Sequence, residues 1–378
     1  MKVARIVVLL HQLSLTGSPR LTLEILSDVR EDAAVRIVAW EGGPLVDVAR
    51  RLGPTAVLRR EGSAPGRAAP GGPAQVLAGV GSRVRGVIQA AALKRWRPCL
   101  VYVSSVEALH MVGKLRLGGV PVVLHVHELG SALVWFEQGH RGLIASVPDR
   151  YVAVSEAVAR DLVEVMGVPA ASVSVVRPYV SISVPARSAD AAVPEKRPLV
   201  VGGAGKPSWT KGNDLWLLAA RDAVTRLGAD RLRFVWVGYR DDKAGLEFKT
   251  MVRKLKLEDV VELVPETDRP FDHFARFDMF AMSSWEESAS LVVLEAMAMR
   301  IPVICFGPTG GPSEEVGTAG VVIPEVSPRL LADAIVDLAE SPQKRRALGD
   351  AGVERARTGY GREASLAALR IVLDSAVR

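Results

Sequence analysis

Short apolar runs alternate with longer amphipathic segments along the first half of the chain. Runs that are apolar throughout are typical of buried strands in a parallel sheet, and segments with apolar residues at three- and four-residue spacing predict helices. The strands predicted in this half are residues 6–10, 35–39, 99–103, 120–126, 151–154 and 173–176.

The same alternation restarts in the second half of the chain. The strands predicted there are residues 199–203, 233–237, 260–264, 277–281, 303–306 and 320–323. Two doubly wound α/β units of similar size are therefore expected, each with a parallel sheet covered by helices on both faces. Because ligands bind beyond the carboxyl ends of such strands, the sequence predicts a cleft between the two units.

Two stretches interrupt the alternation of apolar runs and amphipathic segments. Residues 61–73 are too rich in Gly and Pro to form a packed element, and we interpret them as a mobile loop. Residues 179–197 contain prolines and a run of Ala, Ser and Asp, which is typical of a linker. The expected domains are therefore residues 1–185 and 195–361, followed by an amphipathic helix over residues 363–377.

The composition narrows the class of protein. Apolar residues make up 49% of the 378 positions and charged residues 24%, as expected of a soluble globular protein. The apolar runs are shorter than the roughly 18 residues that a membrane span needs, and the apolar start lacks the cleavage site of a signal peptide. Both cysteines, Cys99 and Cys305, fall in apolar runs, which is typical of reduced, packed thiols. We therefore expect a cytoplasmic protein.

One stretch, residues 283–300, carries the main candidate chemistry. A helix is predicted over residues 290–299, so the backbone N–H groups of Ala289, Ser290 and Leu291 are its unpaired donors and form an anion site, which Ser290 caps. Glu287 precedes this helix, and Glu295 follows eight residues later, a little over two helical turns. Carboxylates accept hydrogen bonds from vicinal hydroxyls, so the stretch suits a ligand with a diphosphate between two sugars.

The spacing Glu287-x7-Glu295, continued by Ala-Met-Ala and Ile301-Pro-Val-Ile, resembles the signature of glycosyltransferase family 4, whose members are retaining enzymes of the GT-B fold. The resemblance implies two Rossmann-like domains, the first on the acceptor side and the second binding a nucleotide-sugar donor. It further implies that Glu287 holds hydroxyls of the donor sugar and that Glu295 holds the ribose. The C-terminal helix, residues 362–378, is then expected to pack back onto the first domain.

Two positions in the first half also match this family. Gly17 follows the first strand, where the family has a glycine loop that faces the donor and where glycine lets the backbone approach a phosphate. His127 directly follows the fourth predicted strand and matches the histidine that family members place near the donor sugar. His125 and His127 have the spacing of a metal pair, but no third ligand lies nearby in the sequence, so we expect no metal there.

The second half carries the basic residues that the family uses against the diphosphate. Lys211-Gly212 matches the end of a basic pair, and a lysine there neutralises charge that grows on the departing diphosphate. The other basic residue has no direct match because Thr210 precedes Lys211, so Lys206 is the candidate. Ser288-Ala289-Ser290 replaces the usual Gly-Phe-Gly turn, and residues 310–314 resemble the family's Gly-Gly-x-x-Glu loop.

The resemblance predicts a retaining glycosyltransferase that moves a sugar from a nucleotide diphosphate sugar, its donor substrate, to an acceptor hydroxyl without a cofactor. An Asp-x-Asp motif does not occur in the chain, so charge compensation is expected from Lys211, Lys206 and helix N-termini rather than from a metal. Two alternatives remain open: a nucleotide-sugar epimerase of the same architecture, and a sugar-nucleotide-binding protein without catalysis.

Basic residues are concentrated in the first half of the chain. Up to Asp190 there are 22 Lys and Arg against 15 Asp and Glu, whereas the remainder has 26 against 27. This favours an anionic acceptor, either a lipid-linked phosphate at the inner membrane surface, where each basic residue contributes about 1 kcal/mol, or a soluble acidic glycan or metabolite. The alternative is a solvated arginine-rich face. Nucleic acid is disfavoured because Trp96 is the only aromatic residue among the basic residues between Arg59 and Arg97.

Overall fold

This computed structural model of the protein describes residues 4–30, 33–59, 73–180, 184–185 and 197–377. The chain divides into two compact units. The first unit comprises the chain up to Arg177 together with the residues from Leu366 onward, and the second comprises Pro178–Ser365.

The first unit is built on a parallel sheet of seven strands. They are β1 (Ala4–Gln12), β2 (Ala33–Glu41), β3 (Thr55–Arg59), β4 (Leu100–Ser104), β5 (Val122–Val126), β6 (Arg150–Ala153) and β7 (Val173–Val175), in the order β3-β2-β1-β4-β5-β6-β7. The helices of this unit before residue 178 are α1 (Gly17–Val29), α2 (Val46–Leu52), α3 (Pro73–Trp96), α4 (His110–Lys114), α5 (Ser131–Gly139), α6 (Leu143–Ser146) and α7 (Glu156–Glu164).

The second unit has a parallel sheet of six strands. They are β8 (Leu199–Ala204), β9 (Leu232–Tyr239), β10 (Val261–Pro265), β11 (Met279–Met282), β12 (Val303–Phe306) and β13 (Val321–Ile323), in the order β10-β9-β8-β11-β12-β13. Its helices are α8 (Asn213–Leu227), α9 (Lys243–Lys254), α10 (Pro270–Phe274), α11 (Leu291–Ala298), α12 (Gly311–Val316), α13 (Pro328–Glu340) and α14 (Pro342–Gly359). The last helix, α15 (Arg362–Val377), begins in this unit and belongs to the first unit from Leu366 onward. Short 3-10 helices lie at Val106–Ala108, Ala170–Ser172, Trp209–Lys211, Gly307–Thr309 and Gly317–Ala319.

The strands predicted from the sequence are all present, with ends that shift by at most two residues, but β3 was not predicted. It is an edge strand, and only Leu58 of its five residues is buried, so it lacks the continuous apolar run that marks the central strands. Part of the predicted loop at 61–73 and part of the predicted linker at 179–197 lie outside the described residues. No helix among the described residues is long and apolar enough to cross a membrane.

Two adjacent glycines in β8 allow aromatic side chains to pack on both faces of the second sheet. A Cβ on Gly202 would lie 2.1 Å from the ring of Phe277, and a Cβ on Gly203 would lie 2.6 Å from the ring of Trp236. Successive residues of a strand point to opposite faces, so each glycine makes room for one aromatic cluster. The glycine-rich end of β8 is therefore used at least partly for core packing rather than for phosphate binding.

Candidate active site

The candidate site of the second unit lies where the chain reverses its direction of travel across the sheet. Strands β8 and β11 are neighbours, and the strands that follow each of them lie on opposite sides. In doubly wound sheets such a switch point leaves a crevice at the carboxyl ends of the two strands. The loops that leave these ends are residues 205–212 and 283–290.

Direct contacts hold these two loops together. The Ser283 hydroxyl donates to the Lys211 carbonyl at 3.0 Å, and the Trp285 N–H donates to the Thr210 carbonyl at 2.8 Å. Gly212 has a φ of 60°, and a Cβ there would lie only 1.9 Å from the Ser283 carbonyl oxygen. Glycine is thus required both by the left-handed backbone and by the close approach of the loops.

Two indole rings extend this contact to the surface. The rings of Trp209 and Trp285 are nearly parallel, at 7°, with centroids 6.3 Å apart. Trp209 is 60% exposed and belongs to the 3-10 helix that ends at Lys211. The stacked pair therefore flanks the start of the site on its solvent side.

Lys211 and Glu287, two of the three predicted catalytic residues, form an ion pair. The Lys211 ammonium donates to Glu287 Oε2, and the Ser284 hydroxyl donates to the same oxygen at 3.2 Å. The side chains are 24% and 13% exposed, so the pair is largely withdrawn from water and Coulombic attraction is stronger than at the surface. The arrangement puts an anion and a cation side by side at the crevice.

The backbone of Glu287 is tied to the loop that follows β12. Its N–H donates to the Thr309 carbonyl at 2.9 Å, and its carbonyl accepts from the Gly311 N–H at 2.9 Å. Three loops, from the ends of β8, β11 and β12, therefore converge on this one glutamate. The resemblance of residues 310–314 to a family loop pointed to the third of them.

The start of α11 differs from the expectation. The helix begins at Leu291, and the Ser290 hydroxyl makes no capping hydrogen bond, so the predicted cap is wrong. The Ser290 N–H is not an unpaired donor either, because it donates to Glu315 Oε1 at 2.7 Å. Gly311 allows this contact: a Cβ there would lie 2.3 Å from the Ser288 carbonyl oxygen, so only glycine lets α12 pack this closely.

Glu315 was not predicted as a site residue. It is 2% exposed, and burial raises the pKa of its carboxyl well above the ordinary value. The hydrogen bond from Ser290 opposes this rise, whereas the negative charges of Glu287 and Glu314 add to it and the charge of Lys211 lowers it. Burial dominates, so the carboxyl group holds its proton to higher pH than an ordinary glutamate.

Glu295, the predicted ribose ligand, lies inside α11 and is 3% exposed. The predicted relation between Glu287 and Glu295 requires a helix over all eight residues, but residues 287–290 precede the helix. Helical periodicity therefore does not set the placement of Glu287 relative to Glu295. The backbone N–H groups of Ala289 and Leu291 stay predicted donor-binding groups at the start of this helix.

Lys206 forms a different ion pair from that of Lys211. Its ammonium pairs with Asp242 at 3.2 Å, and both side chains are more than one-third exposed. Asp242 is the N-cap of α9 and accepts from the Gly245 N–H at 3.1 Å, and this bond lowers the pKa of Asp242. In this structure Lys206 is therefore directed to the start of α9.

The two predicted site residues of the first unit lie at the carboxyl edge of its sheet. Gly17 is the exposed first residue of α1, after β1. His127 directly follows β5, and its ring centroid lies 4.2 Å from that of His125, which is hydrogen-bonded to the Tyr102 hydroxyl. Burial lowers the pKa of His127 to about 4, so its imidazole is neutral at physiological pH. Among the described residues, no group of three or more His, Cys, Asp or Glu is arranged to hold a metal ion.

Two Rossmann-like units with parallel sheets define the GT-B fold of glycosyltransferases. The crystal structure of HepE from Anabaena, in complex with UDP and glucose, matches with a TM-score of 0.78 at 18% identity, covering 98% of this chain and 100% of that one. The family profile described as "Glycosyl transferases group 1" matches residues 195–341, and that described as "Glycosyltransferase Family 4" matches residues 31–184. The two matches cover most of the chain, and the chain belongs to glycosyltransferase family 4.

Curated relatives include two proteins named D-inositol 3-phosphate glycosyltransferase. The one from Kineococcus radiotolerans is 30% identical over 259 residues, which is 62% of this chain and 59% of the relative. The one from Kribbella flavida is 30% identical over 251 residues, which is 61% of this chain and 58% of the relative. The matched region thus spans somewhat under two thirds of either relative.

Proposed function

We propose that the protein transfers a sugar from a nucleoside diphosphate sugar to an acceptor hydroxyl, with retention of anomeric configuration and without a metal ion. The observation that carries the proposal is the Lys211–Glu287 pair at the β8–β11 switch point of a family 4 chain. A carboxylate suits sugar hydroxyls, and an ammonium suits the diphosphate that leaves.

In the proposed reaction the bond between the anomeric carbon and the diphosphate oxygen breaks through an oxocarbenium-like state. The acceptor oxygen forms its new bond on the face that the diphosphate leaves, and the acceptor proton passes to the diphosphate oxygen. Glu287 orients the sugar, and Lys211 donates to the diphosphate as its charge grows. Neutral His127 contributes a hydrogen bond to the donor sugar, and Gly17 and Lys206 take part in donor binding.

The donor and acceptor are proposed by chemical class. The UDP complex of HepE supports a uridine nucleotide donor. The relatives named for D-inositol 3-phosphate support a phosphorylated acceptor, in keeping with the basic excess up to Asp190. A lipid-linked phosphate and a soluble acidic glycan or metabolite both have this chemistry. We place the protein in the cytoplasm, with peripheral contact at the inner membrane surface if the acceptor is lipid-linked.

The decisive experiment follows donor consumption and product configuration by NMR, with and without excess chelator. Turnover should survive the chelator, and the product should keep the donor's anomeric configuration. Lys211→Ala should lower turnover by about 10²–10³-fold with much less effect on donor affinity, because the charge that Lys211 meets grows in the transition state. Lys243→Ala, at a lysine that is 92% exposed in the same unit, is the matched control and should behave as wild type.

Other results would replace this proposal. Chelator-abolished turnover that a divalent ion restores would overturn the metal-free mechanism, and an inverted product would overturn retention. An epimerised nucleotide sugar would make the protein an epimerase. Nucleotide-sugar binding without any turnover would make it a non-catalytic binding protein.

A further inference from the structure

Two buried polar side chains meet at the start of α11 without full hydrogen bonding. Glu315 and Ser290 are each 2% exposed. Glu315 Oε1 accepts from the Ser290 N–H, but Glu315 Oε2 and Ser290 Oγ are buried and have no hydrogen-bond partner in the part of the chain that the structure describes. Buried polar atoms of this kind are costly, and in folded proteins they mark places with a specific role.

The start of α11 is also where the sequence predicts an anion site for a diphosphate. The backbone N–H groups at the beginning of a helix attract anions, and here the Ser290 N–H already holds a carboxyl group. An ionised Glu315 would satisfy this N–H but would also set a negative charge against any phosphate bound beside it. A protonated Glu315 still accepts from the N–H through its carbonyl oxygen, and it adds an O–H donor.

The charged and titratable groups that face Glu315 come from several elements. They are Glu287 after β11, Glu314 on α12, Lys211 after β8, Cys305 on β12 and Arg355 on α14. Arg355 donates to the backbone carbonyls of Glu314 and Glu315 at 2.6 Å each. Lys211 is already paired with Glu287, so no cation is dedicated to the Glu315 carboxyl within the described structure.

We propose that Glu315 is a positioning residue that must carry its proton for a nucleoside diphosphate to bind at the start of α11. As a neutral acid it fixes the Ser290 amide and offers an O–H to the ligand side, and as a carboxylate it repels the diphosphate. The inference rests on the proposed function, since it names a proton that donor binding requires. Burial, which raises the pKa of Glu315, extends the protonated form to higher pH.

The test measures the dissociation constant of UDP by calorimetry from pH 5.5 to 9 for three full-length proteins. They are wild type, Glu315→Gln, which is neutral at every pH and keeps an acceptor for the Ser290 N–H, and Glu340→Gln, which removes an exposed glutamate of the same unit. The UDP ligand is the same in all three measurements, so a change of the pH profile that occurs only in Glu315→Gln reports Glu315. If GDP or ADP binds wild type more tightly, it replaces UDP.

Wild type and Glu340→Gln should lose affinity by about tenfold for each pH unit above the titration of Glu315, because one proton accompanies the diphosphate. Glu315→Gln should lack this decline. Parallel profiles for all three proteins would overturn the inference and leave the proposed function standing. Failure of wild type to bind any of the three nucleotides at any pH would overturn the proposed function and the inference with it.

A second measurement needs no ligand. Because the pKa of Glu315 is raised in the folded protein, its contribution to stability is fully present below the unfolded pKa and is lost as pH rises through the folded pKa. The free energy of unfolding in urea should therefore fall with pH in wild type but not in Glu315→Gln, so the variant becomes more stable relative to wild type between pH 5 and pH 9. A difference that stays constant with pH would overturn the protonated state that the inference requires.

Discussion

Glu287 shows how much of a site one residue can organise. Its side chain pairs with Lys211 and accepts from Ser284, and its backbone joins the loop after β12. Glu295, by contrast, is inside α11 and nearly inaccessible. The two glutamates of the spacing motif therefore have different surroundings, and we expect different consequences when each is removed.

Glu295→Ala should weaken the binding of the nucleoside diphosphate by about 1–3 kcal/mol, which is typical of a lost hydrogen bond to a charged group. Glu287→Ala should leave nucleoside diphosphate affinity nearly unchanged while turnover collapses, because Glu287 is assigned to the sugar. Calorimetry with UDP and turnover assays on both variants make the comparison. Equal losses of UDP affinity would refute the division of roles between the two glutamates.

The sequence predicts Glu287 and Lys211 as site residues but does not point to Glu315. A motif with a known family spacing points to residues along the chain, whereas Glu315 reaches Ser290 through a contact between residues 25 positions apart. That contact requires Gly311 to lie close to the Ser288 carbonyl, and the order of residues along the sequence does not show this proximity. Buried acids are also rare, so an acidic pair at 314 and 315 looks like a solvated turn in the sequence.

Strands can be predicted from the sequence when their residues are buried without a break, because such strands are continuous apolar runs. Central strands such as β4 and β5 are buried along their whole length and are predicted from their apolar runs, whereas β3, with one buried residue, is not. The apolar spacing predicts a helix over residues 290–299, whereas the first helical residue of α11 is Leu291 and Ser290 is the residue before it. Ser290 therefore has the predicted N-cap position, but its hydroxyl makes no capping hydrogen bond and its N–H donates to Glu315.

Gly212 allows the loops that follow β8 and β11 to lie close together. Gly212→Ala should destabilise the protein by roughly 1–3 kcal/mol, since the added Cβ meets a carbonyl oxygen and the left-handed φ is strained. Turnover should fall as well, because the added Cβ pushes apart the two loops that carry Lys211 and Glu287. Thermal unfolding and activity assays measure both effects.

Gly86→Ala, in α3, provides the control for this change. A Cβ at Gly86 would meet nothing within 4 Å, so alanine there should be neutral or stabilise the helix by about 0.5–1 kcal/mol. A Gly212→Ala protein as stable and active as Gly86→Ala would show that the loops do not depend on this glycine.

At the scale of the whole molecule, charge is divided unevenly between the two halves of the chain. Within the first unit, α3 exposes Val84, Val87 and Ile88 on the face that continues to Lys94 and Arg95. An exposed apolar stripe that ends in cations is typical of a helix at an anionic lipid surface. This surface favours the lipid-linked version of the proposed acceptor.

The protein should therefore sediment with anionic vesicles at low salt, less so at high salt, and weakly with neutral vesicles. Replacing both Lys94 and Arg95 by alanine should reduce vesicle affinity by about 2 kcal/mol, or roughly thirtyfold, at about 1 kcal/mol per basic residue. Lys243→Ala, in the second unit, should have no effect. Binding that ignores lipid charge, or no binding, would leave a soluble anionic acceptor.

The stacked indoles beside Lys211 give the protein an optical property. Emission from an indole depends on its contact with water, and Trp209 is 60% exposed whereas Trp216 and Trp236 are at most 2% exposed. Among the described tryptophans, Trp135 in the first unit is also strongly exposed, at 77%, and a Trp135→Phe background would remove its signal. In that background, red-shifted fluorescence would come largely from Trp209, so movement of the Lys211 loop could be followed in real time without an attached dye.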